Sequence, residues 1–128
     1  MKANFAMALH FHQPVGNLDY IVERAFDNCY LPLLETLSRY PQIKANLHFT
    51  GCLLEWAEEN KPELIKKVHD MVSSGQVEII SGGFYDPVFS AIPRRDSLKQ
   101  IEMLTEYVKR KLSFSPKGAW IAERVWEP

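Results

Sequence analysis

Hydrophobic positions along this chain follow two alternating rhythms. Four runs are dense in apolar, β-type residues: Asn4–His12, Ile43–Thr50, Gln76–Ser81 and Gly118–Ala122. Between them the apolar residues return every three or four positions, the spacing of a helix with one buried face. Over Asp19–Tyr40 the stripe is Ile21, Val22, Ala25, Phe26 and Cys29. Pro32 has no N–H to donate, so a break or restart is predicted there before Leu33, Leu34 and Leu37 resume the face. Leu53–Glu59 and Pro62–Ser73 form a second helical region, with Pro62 suited to a first turn and Gly75 to a stop. The clearest helix is Asp96–Leu112, where Leu98, Ile101, Met103, Leu104, Val108 and Leu112 fall near a period of 3.6 and Asp96 is available as a cap.

The predicted order is therefore β-α-β-α-β-α-β, which favours an α/β fold with a parallel sheet and right-handed crossovers. The strands read as apolar on both faces, as expected when helices cover a sheet. No internal repeat, low-complexity tract or linker divides the chain, so residues 1–128 are read as one unit, long enough to bury a real core.

Composition removes several function classes. A net charge of −1, with the 15 basic residues scattered, leaves no electrostatic footprint for nucleic acid or an anionic membrane surface. The densest basic cluster, Lys109-Arg110-Lys111, reads as the solvated end of a helix. No apolar run approaches the roughly 20 residues of a membrane span, and the first residues do not follow a signal-peptide pattern. Cys29 and Cys52 are too few for a disulfide framework and are expected to be reduced and buried, in a cytoplasmic protein.

The residues able to do chemistry collect at the carboxyl ends of the predicted strands, where sites assemble in barrels and open α/β sheets. His10 and His12 close the first strand, in His10-Phe11-His12-Gln13-Pro14, and lie two apart, hence on one face. They suit hydrogen bonding to sugar hydroxyls, metal ligation, or a plain strand end. His48 lies near the end of the second strand. Glu78 sits inside the third, where an acid is costly to bury unpaired; it is either a site residue or a partner for Arg94 or Arg95. Gly82-Gly83-Phe84-Tyr85-Asp86-Pro87 follows, its glycines permitting positive φ or close approach and Pro87 expected to hold Asp86 extended, unless the segment is an ordinary turn. Trp120-Ile121-Ala122-Glu123-Arg124-Val125-Trp126-Glu127-Pro128 places Glu123 between two tryptophans. Indoles stack on the apolar faces of pyranoses, and a carboxylate can attack an anomeric carbon; the plain alternative is a core Trp120 with Glu123 paired to Arg124. His69 and the helix acids read as solvated.

Together, His12-Gln13-Pro14, the glycine-rich strand end and the Trp120–Trp126 motif make this chain similar to glycoside hydrolase family 57, in order and over nearly its whole length. His10–Asn17 and Phe84–Pro93 most resemble the 4-α-glucanotransferase and α-amylase branch. The resemblance implies an incomplete, TIM-like (β/α) barrel of seven strands, of which this chain is about half, and a retaining mechanism with Glu123 as nucleophile. It implies a donor subsite lined by His10, His12, Gln13, Glu78 and Trp120, with no metal or other cofactor. Asp86 stands where close relatives usually have glutamate, one methylene longer. The general acid expected by analogy is an aspartate on a later strand; Asp86 and Glu127 are the nearest other acids here, and neither lies in the matching motif.

Since a retaining glycosidase needs two carboxyl groups about 5–5.5 Å apart, the expectation is a truncated, amino-terminal catalytic segment, inactive alone and marginal in stability. Its partners would be an α-glucan or maltooligosaccharide and the missing carboxy-terminal part of the same enzyme, with no nucleic acid or membrane partner. Two alternatives stay open. One is a metal-dependent deacetylase or amidohydrolase using His10 and His12; the other is an inactive glucan-binding fragment.

Overall fold

The computed structural model describes residues 3–127; of the unit read as 1–128, Met1, Lys2 and Pro128 lie outside the described residues. Three strands, β1 (Ala8–Phe11), β2 (Ala45–Phe49) and β3 (Val77–Ile79), pair in parallel in the order β1-β2-β3. The register sets His10 beside His48, and Asn46 between Ala8 and Glu78.

The fourth predicted strand lies in the expected place and direction but is reduced to one parallel bridge, Ala119 opposite Ser81. The Ser81 N–H donates to the Gly118 carbonyl (2.9 Å) and the Trp120 N–H to the Ser81 carbonyl (2.6 Å). Pairing stops there because both backbones turn away, one through Gly82-Gly83 and the other into a 3-10 turn at Ala122–Arg124.

Helices fill the crossovers. The first is continuous through Pro32 rather than broken by it: α1 (Asp19–Ala25), a π turn (Phe26–Tyr30) and α2 (Leu31–Ser38) follow one another with helical dihedrals at both junctions. The wider π turn relieves the clash between the proline ring and the carbonyl four residues earlier, and needs no N–H from Pro32. It also shifts the helical phase, so Cys29, expected to be buried on the apolar stripe, is exposed. Next come α3 (Gly51–Asn60) and α4 (Pro62–Ser73), the latter ended by Gly75 at φ +68. The last helix is α5 (Arg94–Leu112). It starts two residues before Asp96, which therefore lies in the first turn and favours the helix dipole instead of capping the end.

The helices bury one face of the sheet, not both. The odd positions Phe11, Leu47, Phe49, Val77 and Ile79 lie in the core with Leu54 of α3, Leu64 and Val68 of α4, and Leu104 and Val108 of α5. Helix α4 is central, touching α2, α3, α5 and β3. Buried Gln76 pins α2 to the start of β3, its amide donating to the carbonyls of Leu37 (2.7 Å) and Tyr40 (3.1 Å). The opposite face carries Ala8, His10, Asn46, His48 and Glu78, of which Ala8, His10 and Glu78 are exposed, the His10 side chain by only 24%. That face corresponds to the inside of a barrel. Among the described residues, no helix is long and apolar enough to cross a membrane.

Candidate functional site

The site grows from the even-numbered face at the carboxyl ends of the strands. Because His10 and His48 are register partners, their rings stack 4.9 Å apart and their Nδ1 atoms meet at 2.7 Å. One of these nitrogens must donate and the other accept. Trp120 lies almost parallel to His10, with centroids 4.7 Å apart and planes 8° apart, and stands 5.7 Å from His48. This stack ties the fourth segment to β1 and β2.

Gly82 permits the arrangement by close approach, not by positive φ. A Cβ there would lie 2.5 Å from His48 Nε2 and 3.2 Å from the Trp120 carbonyl oxygen. Gly51 is likewise a close-approach position, where a Cβ would collide with the Phe84 ring.

Asp86 departs from the extended conformation expected before Pro87: its φ is +50. Its N–H donates to the Gly83 carbonyl (3.1 Å) and closes a tight turn, and aspartate tolerates the left-handed region better than most residues. The turn aims the carboxylate back at the imidazoles. Asp86 Oδ2 lies 3.5 Å from His10 Nε2 and 3.4 Å from His12 Nδ1. The Asp86 side chain is only 8% exposed, and Oδ1 has no hydrogen-bond partner among the described residues. His48 Nε2 is likewise buried and unpartnered.

Burial dominates the electrostatics. It holds His48 down to about 3, helped by the neighbouring imidazoles of His10 and His12, so His48 is neutral. Burial also lowers His10, partly offset by the Asp86 charge, and raises Asp86 against the pull of His10 and His12. The charge of Glu123 acts on both His10 and Asp86, pushing each upward, so the Glu123 carboxylate lies within electrostatic reach of the cluster. Glu123 itself is exposed, in the 3-10 turn that follows the bridge. Its φ is +53 and that of Arg124 is +58. Two adjacent non-glycine residues in the left-handed region cost on the order of 1–3 kcal/mol each, and the turn is closed by the Arg124 N–H to the Ile121 carbonyl (3.1 Å) and the Val125 N–H to the Ala122 carbonyl (3.2 Å).

The remaining candidates are placed differently. Gln13 spends its amide internally: Nε2 donates to the Tyr30 hydroxyl (2.7 Å) and Oε1 accepts from Asn17 (2.6 Å). The Tyr30 hydroxyl in turn donates to the His12 carbonyl (2.9 Å), fixing the loop that carries the second imidazole. Glu78 shares the face of His48 but stands one pleat repeat below it, roughly 6.6 Å along the strand. It is exposed, and neither Arg94 nor Arg95 pairs with it among the described residues; Arg95 pairs with Asp96. Trp126 is 71% exposed and borders a groove with Phe89 and Ile121, apart from the imidazoles. Tyr30 is the site residue that sequence reasoning passes over, whereas His48, noted at its strand end but given no role, proves to be the buried partner of His10. The one signal for His48 is that it and His10 occupy equivalent strand-end positions.

Parallel strands alternating with helices, with a cluster of imidazoles, indole and carboxylates where the strands end, match the amino-terminal part of a (β/α) barrel. The chain belongs to glycosyl hydrolase family 57, whose sequence pattern matches residues 5–128. It is 47% identical to 4-α-glucanotransferase of Thermococcus litoralis over 99% of this chain and 19% of that protein. It is 46% identical to α-amylase 1 of Dictyoglomus thermophilum over 97% of this chain and 18% of that protein. The crystal structure of the Thermococcus litoralis 4-α-glucanotransferase superposes with a TM-score of 0.96, covering 100% of this chain and 20% of that one. The chain thus spans about a fifth of the length of the curated relatives it matches.

Proposed function

We propose that residues 1–128 form the amino-terminal part of the catalytic barrel of a retaining, α-glucan-active enzyme of the 4-α-glucanotransferase or α-amylase type. Glu123 is the nucleophile. One of its carboxylate oxygens bonds to the anomeric carbon of an α-1,4-linked glucan as the bond to the leaving glycosidic oxygen breaks. That oxygen takes a proton from an acid supplied by the region of the barrel beyond this segment. In the second half, the deprotonated acid accepts the proton of an incoming hydroxyl, from another glucan or from water, whose oxygen displaces Glu123. His10, His12, Asp86 and Trp120 position the donor sugar, with Glu78 deeper on the same face and Gln13 holding the His12 loop.

The observation that carries this reading is the placement of Glu123. A strained turn holds it after the fourth segment, within electrostatic reach of His10 and Asp86 and three residues from the stacked Trp120. An exposed acid in an ordinary loop would need no such turn.

The test separates the nucleophile from the general acid. In α-maltotriosyl fluoride the fluoride leaves without protonation, so attack by Glu123 needs no general acid. The protein should gain the mass of one maltotriosyl group on a peptide containing Glu123, and Glu123→Gln should gain none. A label on another residue, or equal labelling of the variant, would remove Glu123 from this role.

A further inference from the structure

We propose that His10, His12 and Asp86 form a binding site for a late first-row divalent metal ion of the Zn2+ class. Three ligand atoms, one from each residue, lie within 4.8 Å of one another. The Asp86 Oδ2 separations from His10 Nε2 (3.5 Å) and His12 Nδ1 (3.4 Å) are close to the spacing of about 3.3 Å between ligands in a tetrahedral site with bonds of 2.0–2.1 Å. Both exceed the roughly 2.7–3.2 Å of good N–H···O hydrogen bonds. Among the described residues the carboxylate is therefore buried with Oδ1 unpartnered and Oδ2 weakly served, a costly condition that a cation relieves.

The surroundings are those of a ligand sphere with outer support. His10 contacts His48 through Nδ1. If that nitrogen donates, His10 Nε2 is left as a bare lone pair facing Asp86, and His48 fixes both tautomer and ring orientation, as outer partners of metal-bound histidines do. The Tyr30 hydroxyl anchors the backbone at His12, whose side chain is 42% exposed and free to swing the short distance to a shared ion. Glu123 adds negative field without being a ligand. Two imidazoles and one carboxylate select zinc, cobalt or nickel over calcium and magnesium, which favour all-oxygen sites.

The site goes beyond the glycosidase reading, for which no metal is required. Given that reading, an ion here withdraws His10, His12 and Asp86 from the sugar. Its existence does not depend on that reading, because the test contains no glucan.

Titration of the protein with Co2+ should give visible d–d absorption that saturates at one ion per chain. Zn2+ should displace it, and a large excess of Mg2+ or Ca2+ should not. His12→Ala and Asp86→Asn should each weaken Co2+ binding at least about tenfold, the lower end of losses known from mere outer-sphere mutations. His12→Ala alters an exposed side chain, and its unchanged circular dichroism would show that the fold is retained. His69→Ala, at the surface pair His69–Asp70, should bind as the wild type does. Absence of bands up to millimolar Co2+ would overturn the site. So would saturation unaffected by both His12→Ala and Asp86→Asn, or binding lost in His69→Ala alone.

Discussion

The two faces of one small sheet have opposite characters. On the odd face, Phe11, Leu47, Phe49, Val77 and Ile79 are at most 3% exposed and belong to one hydrophobic core under the helices. On the even face, residues one position away are Ala8, His10, Asn46, His48 and Glu78, and two buried polar atoms at its carboxyl end have no hydrogen-bond partner among the described residues. A strand's period of two lets adjacent residues answer to different demands. The odd face stabilises the fold, whereas the even face accepts unfavourable local terms for the sake of a site. Substitutions on the two faces should therefore separate stability from chemistry.

The largest stability effect belongs to the odd face. Leu47 is fully buried, and Leu47→Ala should cost about 2–5 kcal/mol through lost transfer energy and the cavity left behind. Urea unfolding with an unchanged m-value measures it. A loss below 1 kcal/mol would mean that the helices do not seal this face.

Gly82→Ala comes next, because the new Cβ meets His48 Nε2 at 2.5 Å and backbone at 3.2 Å. Overpacking of this kind costs about 1–3 kcal/mol. Its signature is local: imidazole NMR resonances of His10 and His48 should move together while those of His69 stay in place. A shift confined to one imidazole would contradict the direct His10–His48 contact.

Much of this division is legible in the sequence, and the exceptions have physical causes. Element order, Pro62 in the first turn of α4, Gly75 at its stop, and the gathering of His10, His12, Asp86 and Trp120 at one rim all follow from period and motif. The His10–His48 contact does not, because it depends on register, which no single strand encodes. Asp86 defeats the rule for residues before proline because the Gly83–Asp86 turn outweighs a local steric preference. The π turn at Phe26–Tyr30 is one solution to a mid-helix proline among several, and tertiary packing chooses it. The face assignment fails for a related reason: strands lining a barrel interior and strands covered by helices on both sides are both rich in apolar residues.

A smaller effect is expected away from the sheet, where Tyr107 of α5 donates to Glu58 Oε2 (2.8 Å) and lies 3.2 Å from the Leu54 carbonyl, and Lys111 also pairs with Glu58. Tyr107→Phe should cost about 1 kcal/mol, the net worth of one such bond. Lys111 first, then Tyr107, holds the Glu58 carboxyl below its usual 4.5. A depressed folded pKa gives stability that is present above 4.5 and lost as pH falls through the folded value. The stability gap between wild type and Tyr107→Phe should therefore narrow below pH 4.5. A gap that widened in acid would reverse the assigned sign.

The smallest stability change should come from Glu78→Ala, and it draws the line between the faces most sharply. Glu78 lies between Val77 and Ile79, both buried, yet its own side chain is exposed and unpaired with Arg94 or Arg95. Removing it should change unfolding free energy by no more than about 0.5 kcal/mol, as for ordinary surface positions. In the glucan-binding role proposed for this face, the same substitution should weaken maltooligosaccharide binding, read by calorimetry, more than it changes stability. If Glu78→Ala destabilised the chain by several kcal/mol and left sugar binding intact, Glu78 would belong to the scaffold. The even face would then share in the core that the odd face now represents alone.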